Sequence, residues 1–442
     1  MKLQTLCVAA LMLSAAWSTH AQFNPSSNPS PASTATGASS VVKIEPHGKG
    51  FRLLRTGQPF FIKGAVGWSR FELLAGCGAN AVRTGADVKG LDQAQRLGLG
   101  VLVGLPVGKQ RSGFDYGNAA QVQKQRDHIR QLVLKFKDHP AVLLWTLGNE
   151  LELVTTPEQR VPLWKEVNAL AKLVHELDPN HPVITTIGDA YRHMLHELDQ
   201  YCPALDAIGL NAYADMLTMP EDVAREHWQR PYVVTEFGPR GHWQVPRTAW
   251  GARLEDSSTQ KAEFYQKAYL HAVQGQPQCL GAFTFLWGQK MEKTHTWYGM
   301  FLEDGSPTEA VDVMTFVWSG HWPANRAPRI AGLQTEPDTS ANQGQTGEYA
   351  VGTKLRCTVE ATDPEGGKLS VGWDLRADVA DNPSTGGDWE PAVKPIEGAV
   401  LQTTDNRAVV QLPAQPGKYR LFVYVRDGQG SAATANVPLL LK

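Results

Sequence analysis

Cysteine is scarce. Five occur in 442 residues, far apart and without a Cys-x-x-Cys pair, which excludes a disulfide-built scaffold and the usual zinc spacings. Cys77, Cys202, Cys279 and Cys357 leave two readings open, one disulfide or buried thiols. Neither sign of charge dominates: 42 Lys and Arg stand against 44 Asp and Glu, a net charge of −2. There is therefore no basic excess to suggest nucleic acid. No apolar run reaches the roughly 20 residues of a membrane-spanning helix. The glycine-rich phosphate loop of a dinucleotide-binding sheet is missing too, since the first candidate strand runs into Ala65-Val-Gly-Trp68. Four histidines fall between His175 and His196, including His193-Met-Leu-His196, but not at metal-ligand spacing. No metal and no cofactor is expected.

The chain begins as an export signal would. Lys2 supplies the positive start, Leu6 to Trp17 the apolar core, and Thr19-His20-Ala21 the small residues before a cut at Gln22. The expectation is a signal peptide over 1–21, a Pro/Ser/Thr-rich tether over 22–40, and a protein exported to the periplasm or beyond. Residues 41–58 alternate apolar and polar around His47-Gly-Lys-Gly50, the pattern of a small hairpin.

Strand and helix patterns then alternate. Eight apolar runs are predicted as strands: Phe60–Val66, Ala79–Arg83, Leu99–Leu105, Ala141–Leu147, Pro182–Ile187, Ala207–Asn211, Tyr232–Glu236 and Leu280–Trp287. The clearest helices between them are Gln121–Lys137, Glu158–Leu177, Ser257–Gln274 and Ser306–Val317. For the last, Ser306 is expected as the cap, Pro307 as the first helical residue and Glu309 as the return half of a capping box. Eight alternations predict an α/β fold, a (β/α)8 TIM barrel over 41–326. Beyond Arg326-Ala-Pro328 helical periodicity stops. Short strands separated by Gly, Pro, Asp and Asn predict a C-terminal immunoglobulin-like β-sandwich over 327–442. Its turns at Asp363 and Asp427 are expected to be plain turns rather than calcium sites.

In such a barrel the reactive groups sit at the carboxyl ends of the strands. Here strand two ends in Arg83, strand four leads into Asn149 and Glu150, and strand six into Asn211-Ala-Tyr213. Strand seven ends in Glu236 and strand eight in Trp287. An acid at the tip of a buried strand is costly unless it is used, and two of them suit glycosidic cleavage. One carboxylate attacks the anomeric carbon while the other protonates the leaving oxygen. Arg83 and Tyr213 would keep the nucleophile ionised. Asn149 would meet the sugar 2-hydroxyl and Trp287 the sugar face. Trp68, Trp243, His295 and Trp297, in loops on the same side, are candidate sugar contacts. Glu152 is expected to be a solvated or structural charge.

Trp145-Thr-Leu-Gly-Asn-Glu150 resembles the acid/base strand of the clan A glycoside hydrolases, most closely the barrel domain of family 2. Val234-Thr-Glu236-Phe-Gly238 resembles the nucleophile strand of that clan. Ala79-Asn-Ala-Val-Arg83, Ile208–Tyr213, Phe283–Trp287 and Trp297-Tyr-Gly-Met-Phe301 resemble further segments. The resemblance implies Glu150 as acid/base, Glu236 as nucleophile, and retention of configuration. Two departures turn the expected substrate away from family 2 monosaccharides toward a β-linked glucan, mannan or oligosaccharide. Only a tether and hairpin precede the barrel, and Thr84-Gly-Ala-Asp87 stands where family 2 often has His-Tyr-Pro. A transglycosylase on β-glucan, with loops 109–118 and 239–256 building the acceptor side, and a non-catalytic carbohydrate-binding envelope protein remain the alternatives.

Overall fold

The computed structural model describes residues 40–188, 191–337, 347–379 and 390–442, with the side chains of 191–193 left aside. The expected signal peptide, and the tether apart from Ser40, lie outside the described residues. From Ala38 to Lys442 the chain forms one compact unit.

It starts with a three-stranded antiparallel sheet, β1 (Val42–His47), β2 (Gly50–Arg55) and β3 (Gln58–Pro59). Eight parallel strands follow: β4 (Ile62–Val66), β5 (Ala81–Gly85), β6 (Gly100–Leu105), β7 (Val142–Leu147), β8 (Val183–Ile187), β9 (Ala207–Ala212), β10 (Tyr232–Phe237) and β11 (Cys279–Thr284). They close in sequence order, with β11 pairing back onto β4. Closure rules out the open doubly wound sheet. Strands such as β7, buried along all six residues, read as continuous apolar runs because barrel interior covers one face and helices the other.

The helices are α1 (Phe71–Gly76), α2 (Val88–Arg96), α3 (Ala119–Phe136), α4 (Pro157–Leu177), α5 (Tyr191–Tyr201), α6 (Met219–Arg225), α7 (Ser258–Ala272) and α8 (Glu309–Ser319). Local chemistry fixes several of their starts. Asn118 caps α3, and Thr156 with Gln159, and Ser257 with Gln260, form reciprocal capping boxes on α4 and α7. The cap expected at Ser306 is not used. Pro307 bridges to Phe301 instead, and α8 begins after Thr308.

Two apolar layers hold the barrel. One lies between strands and helices; the other fills the lower interior with Ile62, Leu102, Leu144, Ile184, Val233 and Phe283 and joins Val42 and Leu53 of the first sheet. The small sheet thus plugs the amino-terminal mouth. Gly50 makes the fit, since a Cβ there would stand 1.8 Å from the Pro277 carbonyl oxygen.

The C-terminal part is two four-stranded sheets, in order β12 (Arg329–Pro337), β14 (Lys354–Thr362), β17 (Arg407–Gln411), β16 (Val400–Thr404), and β13 (Glu348–Tyr349), β19 (Ala432–Leu441), β18 (Gly417–Arg426), β15 (Ser370–Ala377). Leu355, Val359, Leu375, Leu421 and Val423 belong to the core between them. Asp363 and Asp427 accept backbone N–H groups within their own turns. The four described cysteines are buried free thiols.

Candidate active site

The fourth and seventh strands bring their acids to the same end of the barrel. At the end of β7, Gly148 turns the chain with φ of +71°, and a Cβ there would strike the Leu151 side chain at 2.7 Å. Glycine is required on both counts. Glu150 itself sits in the left-handed region at φ +49°, a conformation an ordinary residue holds only when its surroundings impose it.

A short hydrogen-bonded chain joins the two carboxyl groups. From β5, Arg83 Nη1 donates to Glu236 Oε1 at 2.8 Å and Arg83 Nη2 to Asn149 Oδ1 at 2.7 Å. Asn211, next to last in β9, donates through Nδ2 to Glu150 Oε1 at 2.8 Å and to Asn149 Oδ1 at 3.1 Å. Thr235 Oγ1 donates to Asn211 Oδ1 and so fixes that amide. Both donors to Asn149 take its oxygen, which leaves Nδ2 for a ligand. The Tyr213 hydroxyl donates to Glu236 Oε2 at 3.1 Å; burial, and then Glu236, raise its pKa and keep it protonated. Burial pushes the Glu236 carboxyl up to about 6, and Glu150 adds to that, while Arg83, Tyr213 and Lys290 hold it down.

Above these groups lies a cavity of about 800 Å³ lined by both glutamates, Asn149, Tyr213, Trp68 and Trp243. Trp68 and Trp243 are 67% and 46% exposed, which leaves aromatic faces free for a ligand. Arg83 lies beneath the cavity, bound to Glu236.

Three expected contacts belong elsewhere. Strand β11 ends at Thr284, three residues before Trp287, so the chain has turned by the time it reaches that indole. Trp287 is 1% exposed, packs on Phe301 and Trp318, and donates to the Arg70 carbonyl. Phe285 and Leu286 line the cavity instead. Trp297 is equally buried and donates to the Arg240 carbonyl. His295 faces the sandwich, where its Nε2 meets the Tyr424 hydroxyl at 2.8 Å; burial pushes its imidazole down to about 4.

Glu152 is not solvated. It is buried, accepts from the Gly188 N–H at 2.6 Å, and burial pushes its carboxyl up to about 7. Loop 109–118 contributes nothing to the cavity lining, whereas loop 239–256 contributes His242 and Trp243. Of the four clustered histidines, His175 pairs with Asp206 and His181 with Asp178, and the His193 side chain lies outside the described residues. Lys290, Glu292, Tyr298, Glu303 and Glu390 also line the cavity. Their sequence signal was weak. Lys290 and Glu292 follow the last barrel strand, and Glu390 arrives from the sandwich.

A closed parallel barrel with glutamates past its fourth strand and at the end of its seventh, tied to one set of donors, is an arrangement that suits glycosidic cleavage. Comparison with known proteins finds the same likeness: the model of the glycosyl hydrolases family 2 TIM barrel domain matches residues 71–278, and the barrel is similar to that domain. A beta-glucuronidase of Paenibacillus borealis is 28% identical over 238 residues, 45% of this chain and 38% of that protein. The beta-glucuronidase of Sus scrofa is 26% identical over 251 residues, 50% of this chain and 36% of that protein. Each match thus spans well under half of the relative. The solved structure of Bacteroides uniformis beta-glucuronidase 2, covalently bound to cyclophellitol-6-carboxylate aziridine, superposes with a TM-score of 0.52 at 14% identity. It covers 91% of this chain and 48% of that one. That likeness is one of fold.

Proposed function

We propose that the protein is a retaining β-glycosidase acting on a β-linked glucan, mannan or oligosaccharide, with Glu236 as nucleophile and Glu150 as acid/base. The observation that carries this is the Glu236–Arg83–Asn149–Asn211–Glu150 chain, which ties both carboxyl groups to one set of donors. Double displacement needs the two carboxyl groups about 5–5.5 Å apart, and a shared set of short contacts suits that spacing.

In the first step Glu236 attacks the anomeric carbon while Glu150 gives its proton to the leaving oxygen. The departure of that proton and the esterification of Glu236 exchange the charges, so Glu150 is then a base for water. Arg83 and Tyr213 orient the Glu236 oxygens before attack, and Asn149 Nδ2 is available to the 2-hydroxyl. Trp68 and Trp243 offer stacking faces at the rim.

Glu236→Gln should lower turnover by at least a thousandfold. With Glu150→Ala, azide should restore cleavage of an activated aryl glycoside and yield the β-glycosyl azide. Proton NMR of the first product should show the β-anomer from a β-linked substrate. Normal activity in both variants, or early α-product, would refute the assignment.

Transfer to a second sugar in place of water is the closest alternative, and loop 239–256, which supplies Trp243, would build the acceptor side. It predicts longer products from an oligosaccharide donor. A binding protein without catalysis would leave every product assay blank. The beta-glucuronidase relatives favour a β-uronide as the second reading, with Lys290 as the cation in the cavity. Export to the periplasm or beyond is part of the proposal, and cell fractionation with N-terminal sequencing from Gln22 would test it.

A further inference from the structure

His242, Glu292 and Lys290 occupy a corner of the cavity that the reaction above does not use. The geometry points to this corner as the element that selects a neutral sugar and refuses a uronate, an inference that rests on the glycosidase reading.

His242 lies five residues beyond β10, lines the cavity, and is buried. Both ring nitrogens lack a hydrogen-bond partner. The nearest ionic neighbour of Nε2 is Glu292 Oε1 at 3.6 Å, beyond hydrogen-bond reach. A buried polar atom without a partner is costly, so this imidazole favours a ligand that completes it. A sugar hydroxyl can donate to a ring nitrogen or accept from one and serves either tautomer; a carboxylate can only accept.

The corner is held rigidly. The His242 backbone N–H donates to the Tyr298 hydroxyl at 3.2 Å, and the ring packs edge-on to Trp243 and Trp297. Across from it, Glu292 and Thr294 exchange backbone hydrogen bonds, so the segment carrying Glu292 is pinned.

Charge decides the selectivity. Lys290 is the one lysine or arginine among the described residues lining the cavity, against five glutamates, Glu150, Glu236, Glu292, Glu303 and Glu390. Its ammonium is 2.6 Å from Glu292 Oε2, with both side chains largely out of water. Arg83 below is bound to Glu236. A uronate would bring another anion to a cation already neutralised, whereas a neutral sugar brings only hydroxyls. The rejecting element is thus Glu292, through its hold on Lys290.

The test compares kcat/KM within matched pairs, the 4-nitrophenyl β-glucoside against the β-glucuronide and the β-galactoside against the β-galacturonide. The wild-type protein should favour the neutral member. Glu292→Gln keeps the shape and frees Lys290, so the neutral-to-uronate ratio should fall at least tenfold, and adding Lys290→Met should restore it. His242→Ala should lower kcat/KM on the neutral member at least tenfold. Lys290→Met alone, which leaves Glu292 in place, guards against misfolding of the Gln variant and should lower uronate cleavage further. A wild-type preference for the uronates, or a ratio within twofold in a folded Glu292→Gln protein, would overturn the inference. If no substrate is cleaved, the glycosidase reading fails separately. Calorimetry with the four free sugars then still decides the corner: neutral sugars binding at least tenfold tighter support it, and equal or tighter uronate binding overturns it.

Discussion

Glu236 is asked to be anionic in a place that resists charge. Desolvation and the nearby Glu150 push its carboxyl up to about 6, against Arg83, Tyr213 and Lys290. As the proposed nucleophile, Glu236 must be deprotonated, so activity should be present above that value and lost as pH falls through it. The acidic limb of kcat/KM, which reports the free enzyme, should therefore bend near pH 6. Replacing Tyr213 with Phe removes a hydrogen bond to the charged form, which should move the limb upward. A pH–rate profile of both proteins checks this, and an unmoved limb would mean that Tyr213 does not act on the nucleophile. At this scale the sequence was legible where a residue ends a buried strand. Glu150, Glu236, Arg83, Asn149 and Tyr213 could each be read that way. Trp287 could not: like Glu150 it lies three residues past a strand end, where the turn taken decides direction, and here the turn packs the indole on Phe301 and Trp318.

Helix α8 carries a second misfit carboxylate, on the side of the barrel where the chain crosses to the sandwich. Asp312 accepts the Ala327 N–H at 2.7 Å, and burial pushes its carboxyl up to about 7. Glu152, beyond β7, is pushed up to about 7 in the same way. A carboxyl whose folded pKa exceeds its unfolded value binds its proton more tightly in the fold. Its contribution is fully present below about pH 4 and is lost as pH rises through 7. Unfolding free energy from urea titration should carry this downward trend between pH 5 and 7.5, on the order of a few kcal/mol for both groups together. Asp312→Asn retains an acceptor for Ala327 and should flatten the trend; an unchanged slope would count against Asp312. Neither carboxylate was recognisable from its neighbours in sequence. Each is an ordinary acid made unusual by the elements that cover it.

The two parts of the molecule meet through buried polar contacts rather than a flexible joint. Arg420, 1% exposed, reaches Asn436 Oδ1 and Asp378 Oδ2 within the sandwich and the Arg253 carbonyl of the barrel loop. Asn436 in turn donates to Glu255, which holds Lys261 at the start of α7. Thr434 N–H donates to Ser258 Oγ, and Glu390 of the sandwich accepts the Lys293 N–H next to the proposed selecting corner. Removing Arg420 as Ala should cost on the order of 3 kcal/mol. Because the contacts cross both parts, the loss should appear in a single unfolding transition by calorimetry. A separate melting of the sandwich, with the barrel unaffected, would refute the coupling. Since Glu390 and Ala392 also line the cavity, the sandwich is a wall of the site as well as a brace.

The sequence by itself determined the elements and their order. Period-2 and apolar runs alternate with 3.6-residue patterns, and caps such as Thr156 and Ser257 are local chemistry, so eight strands, the four clearest helices and the change to a β-sandwich could be read without a structure. It also determined which glutamates end strands four and seven. Tertiary structure decided everything that depends on direction and enclosure: that Asn211 holds Glu150, that Trp287, Trp297 and His295 are buried while Trp68 and Trp243 are not, and that Glu152 is covered. It also decided that His242, Glu292 and Lys290 share one corner with a loop of the sandwich. Burial and field arise from residues far away in the chain, and no local pattern encodes them.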